Sequence, residues 1–229
     1  MTVTATNCIL HNNTANLFQF ATGNHTLNLD GCNIYGNSAP GDGVVAYFTS
    51  STPGSQIITA TNTTFDENTT PGSGLFGMGS TSTGAGHFVT FTNCTFRKNV
   101  ISGYGCILSS GGWRQVLTLD RVIATDNFSV RDGGFSNMRQ GPGPTTGEQT
   151  VTVTDSFFTN NRADGSSQTY GGLFMLYSDY PYPQTLNITR CQVNTSYAFL
   201  GAVSYIIANG PGATQVVTLL DSQFIGNGA

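Results

Sequence analysis

The chain repeats one pattern of apolar and polar positions eight times, with a period of about 31 residues. In each repeat, apolar and polar residues alternate, the alternation breaks, and it resumes around a small residue. That small position holds Cys8, Cys32, Thr63, Cys94, Val122, Ser156, Cys191 and Ser222. Alternation with a period of two is typical of half-buried strands. The pattern therefore predicts an all-β solenoid.

The fourth repeat shows how one coil is built. Residues 89–91 alternate, 92–93 turn a corner, and 94–96 resume the alternation before Asn99. Gly105 then precedes a second apolar run at 106–108. Connections between parallel strands are right-handed in nearly all cases. We therefore predict a right-handed, single-stranded parallel β-helix of about seven coils, forming a single domain over residues 1–229.

An asparagine follows the small position by five residues in every repeat but one. The row consists of Asn13, Asn37, Asn68, Asn99, Asn127, Asn161 and Asn227, and Ser196 interrupts it. Equal positions of neighbouring coils lie about 4.8 Å apart in a parallel stack. The row predicts an internal structural ladder of amides; the alternative is a ligand-binding role.

Charge is scarce, because only 9% of the residues are charged and the net charge is −4. A basic cluster is missing from the sequence, so we expect no nucleic-acid partner and no membrane insertion by this segment. Arg121, Asp155, Arg190 and Asp221 alternate in sign at one repeat position, which predicts coil-to-coil ion pairs. Metal and cofactor motifs are also missing, so we expect no cofactor.

The positions of the cysteines are consistent with two interpretations. Cys8 and Cys32 occupy equal positions of adjacent coils, and a separation of about 4.8 Å permits a disulfide. The alternative is that all five cysteines are small buried residues.

Candidate chemistry is limited to three groups. A catalytic alternative rests on Asp126, Arg131, Asp132, Arg162 and Asp164, although turn residues and ion pairs explain this cluster equally simply. Trp113, Tyr177, Tyr180 and Tyr182 are candidates for contact with a sugar or a partner. The outward-facing glycosylation candidates are Asn12, Asn24, Asn62, Asn93, Asn187 and Asn194, whereas Asn68 and Asn127 belong to the inward row.

The repeats resemble those of the chlamydial polymorphic outer-membrane proteins. Residues 92–99 (Thr-Asn-Cys-Thr-Phe-Arg-Lys-Asn) and 171–174 (Gly-Gly-Leu-Phe) carry this family's Phe-x-x-Asn and Gly-Gly-apolar motifs. The resemblance implies a pectin-lyase-like β-helix and a role at a cell surface. Membrane anchoring is not carried over, because the chain has no segment similar to the family's barrel.

We therefore expect a non-enzymatic extracellular rod, structural or adhesive, belonging to a surface glycoprotein or a fibril. The strand pattern is already present at residue 3 and the eighth repeat is incomplete. We accordingly expect a segment of a longer protein or a subunit stacked end to end, with another copy, further chain or glycans as partners. A polysaccharide lyase or hydrolase is one alternative, and a sugar- or host-binding module is the other.

Overall fold

The computed structural model describes residues 1–80, 85–140, 147–164 and 169–228. It is an all-β solenoid in which strands from successive coils pair in parallel and form four sheets. This confirms the predicted parallel β-helix. The described residues contain no helix that is long and apolar enough to cross a membrane.

Sheets 1 and 2 lie on the two sides of the first corner. Sheet 1 consists of Thr2–Thr6, His25–Asp30, Gly54–Thr61, Ala85–Thr92, Arg114–Asp120, Glu148–Thr154, Gln184–Thr189 and Gln215–Leu220. Sheet 2 consists of Ile9–His11, Asn33–Tyr35, Thr64–Asp66, Thr95–Arg97, Ile123–Thr125, Phe157–Thr159, Gln192–Asn194 and Gln223–Ile225. Each strand pairs residue for residue with the next coil.

Sheets 3 and 4 complete the coil. Sheet 3 consists of Thr69–Thr70, Val100–Ile101, Phe128–Ser129, Arg162–Ala163 and Tyr197–Ala198. Sheet 4 consists of Phe18–Phe20, Ala46–Ser50, Phe76–Ser80, Leu108–Gly111, Ser136–Gln140, Phe174–Ser178 and Ser204–Ala208. The two-residue strands of sheet 3 are too short for sequence periodicity to reveal.

The second strand of the coil begins later than predicted. We predicted it over 106–108, and the structure has it at Leu108–Gly111. Gly105 explains the difference, because its φ is +60° and a Cβ there would lie 2.0 Å from the carbonyl oxygen of Leu108. The backbone therefore curls through residues 105–107 before it becomes extended.

One continuous core fills the solenoid. Phe65 and Phe96 stack with their ring centroids 4.7 Å apart, and Phe135 bridges from Phe96 to Phe158 at 5.4 and 5.6 Å. These rings belong to a single cluster of buried residues. Equal repeat positions therefore do lie above one another, as the periodicity predicts.

The asparagine row forms a buried ladder. Nδ2 of Asn37 donates to Oδ1 of Asn68 at 2.9 Å, and the same bond joins Asn68 to Asn99 and Asn127 to Asn161 at 3.1 and 2.8 Å. The backbone nitrogen of each of these donors also donates to the next amide oxygen. Bonds of this kind satisfy polar groups that water cannot reach.

A second buried row lies on the inner side of sheet 1, and our sequence analysis missed it. Its buried members are His25, Gln56, His87, Gln115, Gln149 and Gln184, and it ends at Gln215, which is exposed in the last coil. Nε2 of Gln149 donates to Gln115 at 3.1 Å, and Nε2 of Gln184 donates to Gln149 at 2.6 Å. The two histidines interrupt this glutamine ladder in the first half of the chain.

Ion pairs join coils on the outside. Arg97 pairs with Asp66, Lys98 with Glu67, and Arg190 with Asp155. Arg121 differs from expectation, since it pairs with its chain neighbour Asp120 at 2.7 Å. All of these arginine and lysine side chains are more than half exposed, so each pair contributes little to stability.

Candidate functional site

A groove of about 210 Å³ runs along the outer face of sheet 4. Its floor is made by residues with little or no side chain, namely Gly77, Gly79, Ser109 and Gly111. Asp42, Tyr47, Tyr104, Asn137 and Arg139 are among the residues that line it. The groove exists because larger side chains on this face flank two coils that carry small ones.

Two glycines of the floor keep the groove open, although the backbone conformation does not require glycine at either position. A Cβ on Gly79 would meet nothing closer than 3.9 Å, and a Cβ on Gly111 nothing closer than 4.0 Å. Neither has a positive φ. Larger residues would therefore fit the fold at both positions and would fill the groove instead.

Arg139 forms one wall of the groove and is held on three sides. Its guanidinium carbon lies 4.5 Å from the ring centroid of Tyr104 and 5.7 Å from that of Tyr177. Its NH2 group donates to Oδ2 of Asp132 at 2.6 Å. Asp132 is only 3% exposed, and its Oδ1 accepts from the backbone nitrogen of Tyr170. The guanidinium is consequently preorganised and needs little ordering to meet a ligand.

Asn137 supplies an unused donor. The residue is only 2% exposed, yet its Nδ2 has no hydrogen-bond partner in the described structure. A buried amide nitrogen without a partner costs about 1–3 kcal/mol. Because Asn137 lines the groove, a ligand oxygen that reached this buried nitrogen would recover this cost.

Asp42 and Tyr47 form the opposite part of the lining. Oδ1 of Asp42 accepts from the backbone nitrogen of Ser73 at 2.6 Å, which fixes the carboxylate. Burial raises the pKa of the Tyr47 hydroxyl, and the nearby Asp42 charge raises it further. Tyr47 therefore keeps its proton and presents a donor beside a fixed acceptor.

The aromatic residues predicted to contact a ligand are only partly accessible. Tyr177 is half-buried beside Arg139, and its hydroxyl donates to Asp179 at 2.5 Å. Our prediction of exposed contacts is wrong for Trp113 and Tyr182, which are 4% and 2% exposed. The reason is local packing, because Tyr182 stacks on Tyr180 at 5.7 Å.

The backbone at Gly147 lies close to both Trp113 and Tyr182. A Cβ on Gly147 would lie 2.7 Å from the carbonyl oxygen of Trp113 and 3.0 Å from Cδ2 of Tyr182. The segments that carry both aromatic residues thus fold onto the solenoid and do not project from it.

The acid and arginine cluster divides into separate contacts. Asp126 accepts from Nδ2 of Asn160 at 2.6 Å, whereas Asp132 pairs with Arg139. Arg131 donates to the Tyr104 hydroxyl at 2.6 Å. Over the described ranges, no ion pair joins Asp126 or Asp164 to Arg131 or Arg162. Of this cluster, Asp132 and Arg131 contact residues that line the groove, namely Arg139 and Tyr104.

The five cysteines are free thiols in the structure, so it does not contain the disulfide considered for Cys8 and Cys32. Both sulfhydryl groups instead donate to carbonyl oxygens, Cys8 to Thr6 and Cys32 to Ala5, each at 3.4 Å. Burial is the main cause that raises the pKa of the Cys32 thiol, which disfavours the reactive thiolate.

The six glycosylation candidates lie at the surface. Asn12, Asn24, Asn62 and Asn93 are exposed, and Asn187 and Asn194 are half-buried. Nδ2 of Asn93 donates to Oδ1 of Asn62 at 2.7 Å along an outer row. Asn68 and Asn127 are fully buried in the ladder, so these two sequons are closed to a glycosylating enzyme.

Our sequence analysis did not identify the groove residues Asp42, Tyr47, Tyr104, Asn137 and Arg139. A signal was present, because Tyr47, Gly77, Ser109 and Asn137 occupy one outward row of sheet 4. Small residues between large ones in a row predict a depression in the surface.

Comparison with known proteins gives one match. A family model described as "Right handed beta helix region" matches residues 1–119, just over half of the chain. The comparisons with curated proteins and with solved structures gave no match.

Proposed function

Because this chain belongs to the right-handed β-helix family, we propose that it is a non-enzymatic extracellular rod with structural and adhesive roles. The observation that carries the adhesive role is the groove on sheet 4, with its fixed arginine and its unpartnered Asn137 amide. Sugars offer the ring faces and hydroxyl groups that such a mixture of aromatic and hydrogen-bonding side chains binds. We therefore propose glycans as the partners of this groove.

Filling the groove tests this role. Gly111→Val adds a β-branched side chain to a strand position that has room for it. On an array of neutral and acidic oligosaccharides, the wild type should be retained by one class of glycan and Gly111→Val should lose that retention. Thr59→Val, on the outer face of sheet 1, is the matched control and should bind like the wild type. A wild type that binds no glycan, or a Gly111→Val variant that binds equally well, would refute the proposal.

The enzymatic alternative needs a pair of carboxyl groups on either side of a sugar linkage. Asp42 lines the groove and Asp132 supports Arg139, so these two acids are the ones to test. Release of reducing sugar from a bound glycan, abolished in Asp42→Asn or Asp132→Asn, would replace the adhesive role with a carbohydrate-cleaving one.

The structural role is supported by the last coil. Val217, Leu219 and Phe224 occupy inward positions, yet they are 52%, 52% and 36% exposed. Burying apolar surface of this kind is favourable by about 25 cal/mol per Å². We propose that a further coil, from a second copy or from the same polypeptide, stacks there and makes the rod part of a fibril or surface glycoprotein.

Two measurements test this assembly. Val217→Lys should reduce concentration-dependent sedimentation or filament length, while Thr218→Lys, one residue away and outward-facing, should not. Equal behaviour of the two variants would refute stacking of a second copy through this end. Mass spectrometry of protein from a eukaryotic secretory host should find glycans among the six surface asparagines and none on Asn68 or Asn127.

A further inference from the structure

The acidic and the basic residue that line the groove on sheet 4 lie at its opposite ends. Asp42 lies beside Gly77, since a Cβ on Gly77 would be 3.2 Å from Cβ of Asp42. Arg139 lies two coils further along, because Gly79, Gly111 and Arg139 occupy one row of sheet 4. Two strand spacings amount to about 10 Å along the rod axis. The two charges are therefore too far apart to pair with each other, and a single ligand could meet both.

The acidic end of the groove has acceptors to spare. Asp42 is half-buried, and over the described ranges it takes part in no ion pair. Its Oδ1 accepts from the backbone nitrogen of Ser73, whereas its Oδ2 accepts from no group in the described structure. A carboxylate with a free oxygen bonds strongly to an ammonium group, and the ring of the neighbouring Tyr47 adds to the attraction of a cation.

The basic end has donors to spare. Arg139 uses its NH2 group for Asp132, while its Nε and Nη1 groups donate to nothing among the described residues. The two carboxylates nearby are already bonded, since Asp132 also accepts from a backbone nitrogen, and Asp179 accepts from Tyr177 and Asn209. The remaining donors of the guanidinium therefore match a planar carboxylate that a ligand supplies.

Asn137 adds a buried donor beside this guanidinium. It precedes Arg139 by two residues on one strand, so the two side chains leave the same face about 6.6 Å apart. Nδ2 of Asn137 is buried without a partner in the described structure. The last torsion of an asparagine side chain has a roughly two-fold profile, so a half-turn of the amide directs this nitrogen into the groove. A carboxylate can then accept from Asn137 with one oxygen and from Arg139 with the other.

The floor between the two ends suits a neutral sugar better than a peptide. Gly77, Gly79, Ser109 and Gly111 carry no charge, and they lie on paired strands of sheet 4. Backbone groups of paired strands bond to each other, so the floor offers few partners to the amides of a peptide. A sugar ring presents its hydroxyl groups around its edge, where the side chains of the two walls can reach them.

We propose that the groove binds a zwitterionic glycan, with an ammonium group at Asp42, a carboxylate at Arg139 and Asn137, and a neutral sugar unit between them. This inference rests on the proposed glycan-binding role and names the class of glycan. The opposite charges at the two ends fix the direction of the ligand along the rod axis.

The test uses the full chain and a trisaccharide with glucosamine at one end, glucose in the middle and glucuronic acid at the other end. Calorimetric titration compares this trisaccharide with its N-acetylated form, its methyl ester and the form that carries both changes. Each single change should weaken binding about tenfold, because a charge-assisted hydrogen bond is lost. The double change should weaken it further.

The outcome separates this inference from the proposed function. Equal binding of all four forms would overturn the zwitterionic specificity and leave a glycan-binding groove. Failure to bind this trisaccharide, with retention of other glycans on an array, would also overturn it alone. Binding of no glycan at all would refute the proposed function and this inference together. Binding of a peptide with the same two charges, but of no trisaccharide, would overturn the choice of a sugar.

Variants assign each charge of the ligand to one end of the groove. Asp42→Asn should weaken binding of the parent trisaccharide about tenfold and remove its advantage over the N-acetylated form, while the methyl ester stays weaker. Arg139→Gln should remove the advantage over the methyl ester and keep the advantage over the N-acetylated form. A loss of affinity without this selectivity would overturn the assignment.

Glu67→Gln and Lys98→Gln are the matched controls. They remove one carboxylate and one ammonium group from an exposed ion pair that does not line the groove, so both should bind all four forms as the wild type does. Arg139→Gln leaves the buried Asp132 without its cation. If circular dichroism shows that this variant is unfolded, the double variant Asp132→Asn/Arg139→Gln takes its place, because it leaves no unpaired charge.

Discussion

Nδ2 of Asn99 donates to Oδ1 of Asn127 at 2.9 Å, and both residues are completely buried. The same nitrogen donates to the carbonyl oxygen of Phe65 at 3.1 Å, and Oδ1 of Asn99 accepts from both nitrogens of Asn68. One side chain therefore serves backbone and side-chain groups on both neighbouring coils.

Asn99→Ala should be among the most destabilising single changes in the chain. It removes the acceptor of the Asn68 backbone nitrogen, one of the two bonds made by Nδ2 of Asn68, and the bond to the carbonyl of Phe65, which should lower the free energy of unfolding by about 3 kcal/mol. Urea denaturation followed by circular dichroism measures this change. Asn33→Ala is the control, because Asn33 is exposed and its loss should cost less than about 0.5 kcal/mol. Similar losses for both variants would show that the ladder does not stabilise the fold.

Ser196 interrupts the ladder, and restoring an asparagine there should stabilise the protein. Its Oγ is buried without a partner in the described structure, while its backbone nitrogen already donates to Oδ1 of Asn227 at 2.8 Å. Ser196→Asn should offer Asn161 the missing acceptor and raise the free energy of unfolding by about 1 kcal/mol.

Ser196→Ala separates the ladder effect from simple removal of the hydroxyl. This variant lacks the unpartnered Oγ and does not complete the ladder, so its free energy of unfolding should differ little from that of the wild type. Chemical denaturation in which Ser196→Asn is no more stable than Ser196→Ala would argue against a ladder site with room for asparagine.

The two interior rows show what the sequence reveals and what it hides. The asparagine row was predictable because one residue type recurs at one position. The glutamine row also has a constant offset, for Gln115 and Gln149 each precede the small position, Val122 and Ser156, by seven residues. It escaped notice because His25 and His87 replace glutamine in two coils, and because isolated polar residues are usually expected to face solvent.

The corners were predictable as turns, but their backbone conformation was not. Among the described residues, thirteen that are not glycine have φ near +50°, including Lys98 at +51°. Glycine occupies equal corner positions at Gly36 and Gly226, which is the sequence signal for a left-handed residue. The charged residues Glu67, Lys98 and Asp126 at other corners of this row hid the signal, because their coil-to-coil contacts account for them equally well.

Lys98→Gly should therefore stabilise the protein by about 0.5–1 kcal/mol, because glycine adopts the left-handed conformation without steric cost. The lost ion pair matters little, since Lys98 and Glu67 are 55% and 61% exposed. Thermal denaturation monitored by circular dichroism measures the change. Lys98→Ala removes the same charge but keeps a Cβ, so it should show no gain; equal stability of the two variants would point away from backbone strain.

The ligand-contact predictions failed where they depended on loop conformation. Tyrosines next to proline predict a stiff exposed loop, but Tyr182 is buried against Tyr180. The groove, in contrast, depends on side-chain size along a stacked row, which follows from register once the fold is known. Periodicity therefore predicts rows well, whereas it says little about the segments between strands.

Buried His87 should make stability depend on pH. Burial lowers its pKa from 6.5 to about 4, so the folded state binds this proton less readily than the unfolded chain. The contribution of neutral His87 to the free energy of unfolding is therefore fully present above pH 6.5. This contribution is lost as the pH falls toward 4, by up to about 3 kcal/mol. Urea denaturation at pH 7, 5.5 and 4 measures this loss.

His87→Gln isolates the contribution of this residue. Glutamine occupies the same row in the coils on either side, at Gln56 and Gln115, and it does not titrate. The variant should lose less stability than the wild type between pH 7 and 4. His11→Gln, at an exposed histidine, should keep the wild-type pH dependence. A His87→Gln variant with an unchanged pH profile would show that acid acts elsewhere.

The two interior ladders run in opposite directions. Asparagine amides donate toward the following coil, as from Asn99 to Asn127, whereas glutamine amides donate toward the preceding coil, as from Gln184 to Gln149. Their electric dipoles therefore oppose each other between the fifth and sixth coils, where Asn127 donates to Asn161 and Gln149 donates to Gln115. A further coil that carried both residues would add two internal bonds of opposite direction, so the tips of the rod would gain no electrical polarity from them.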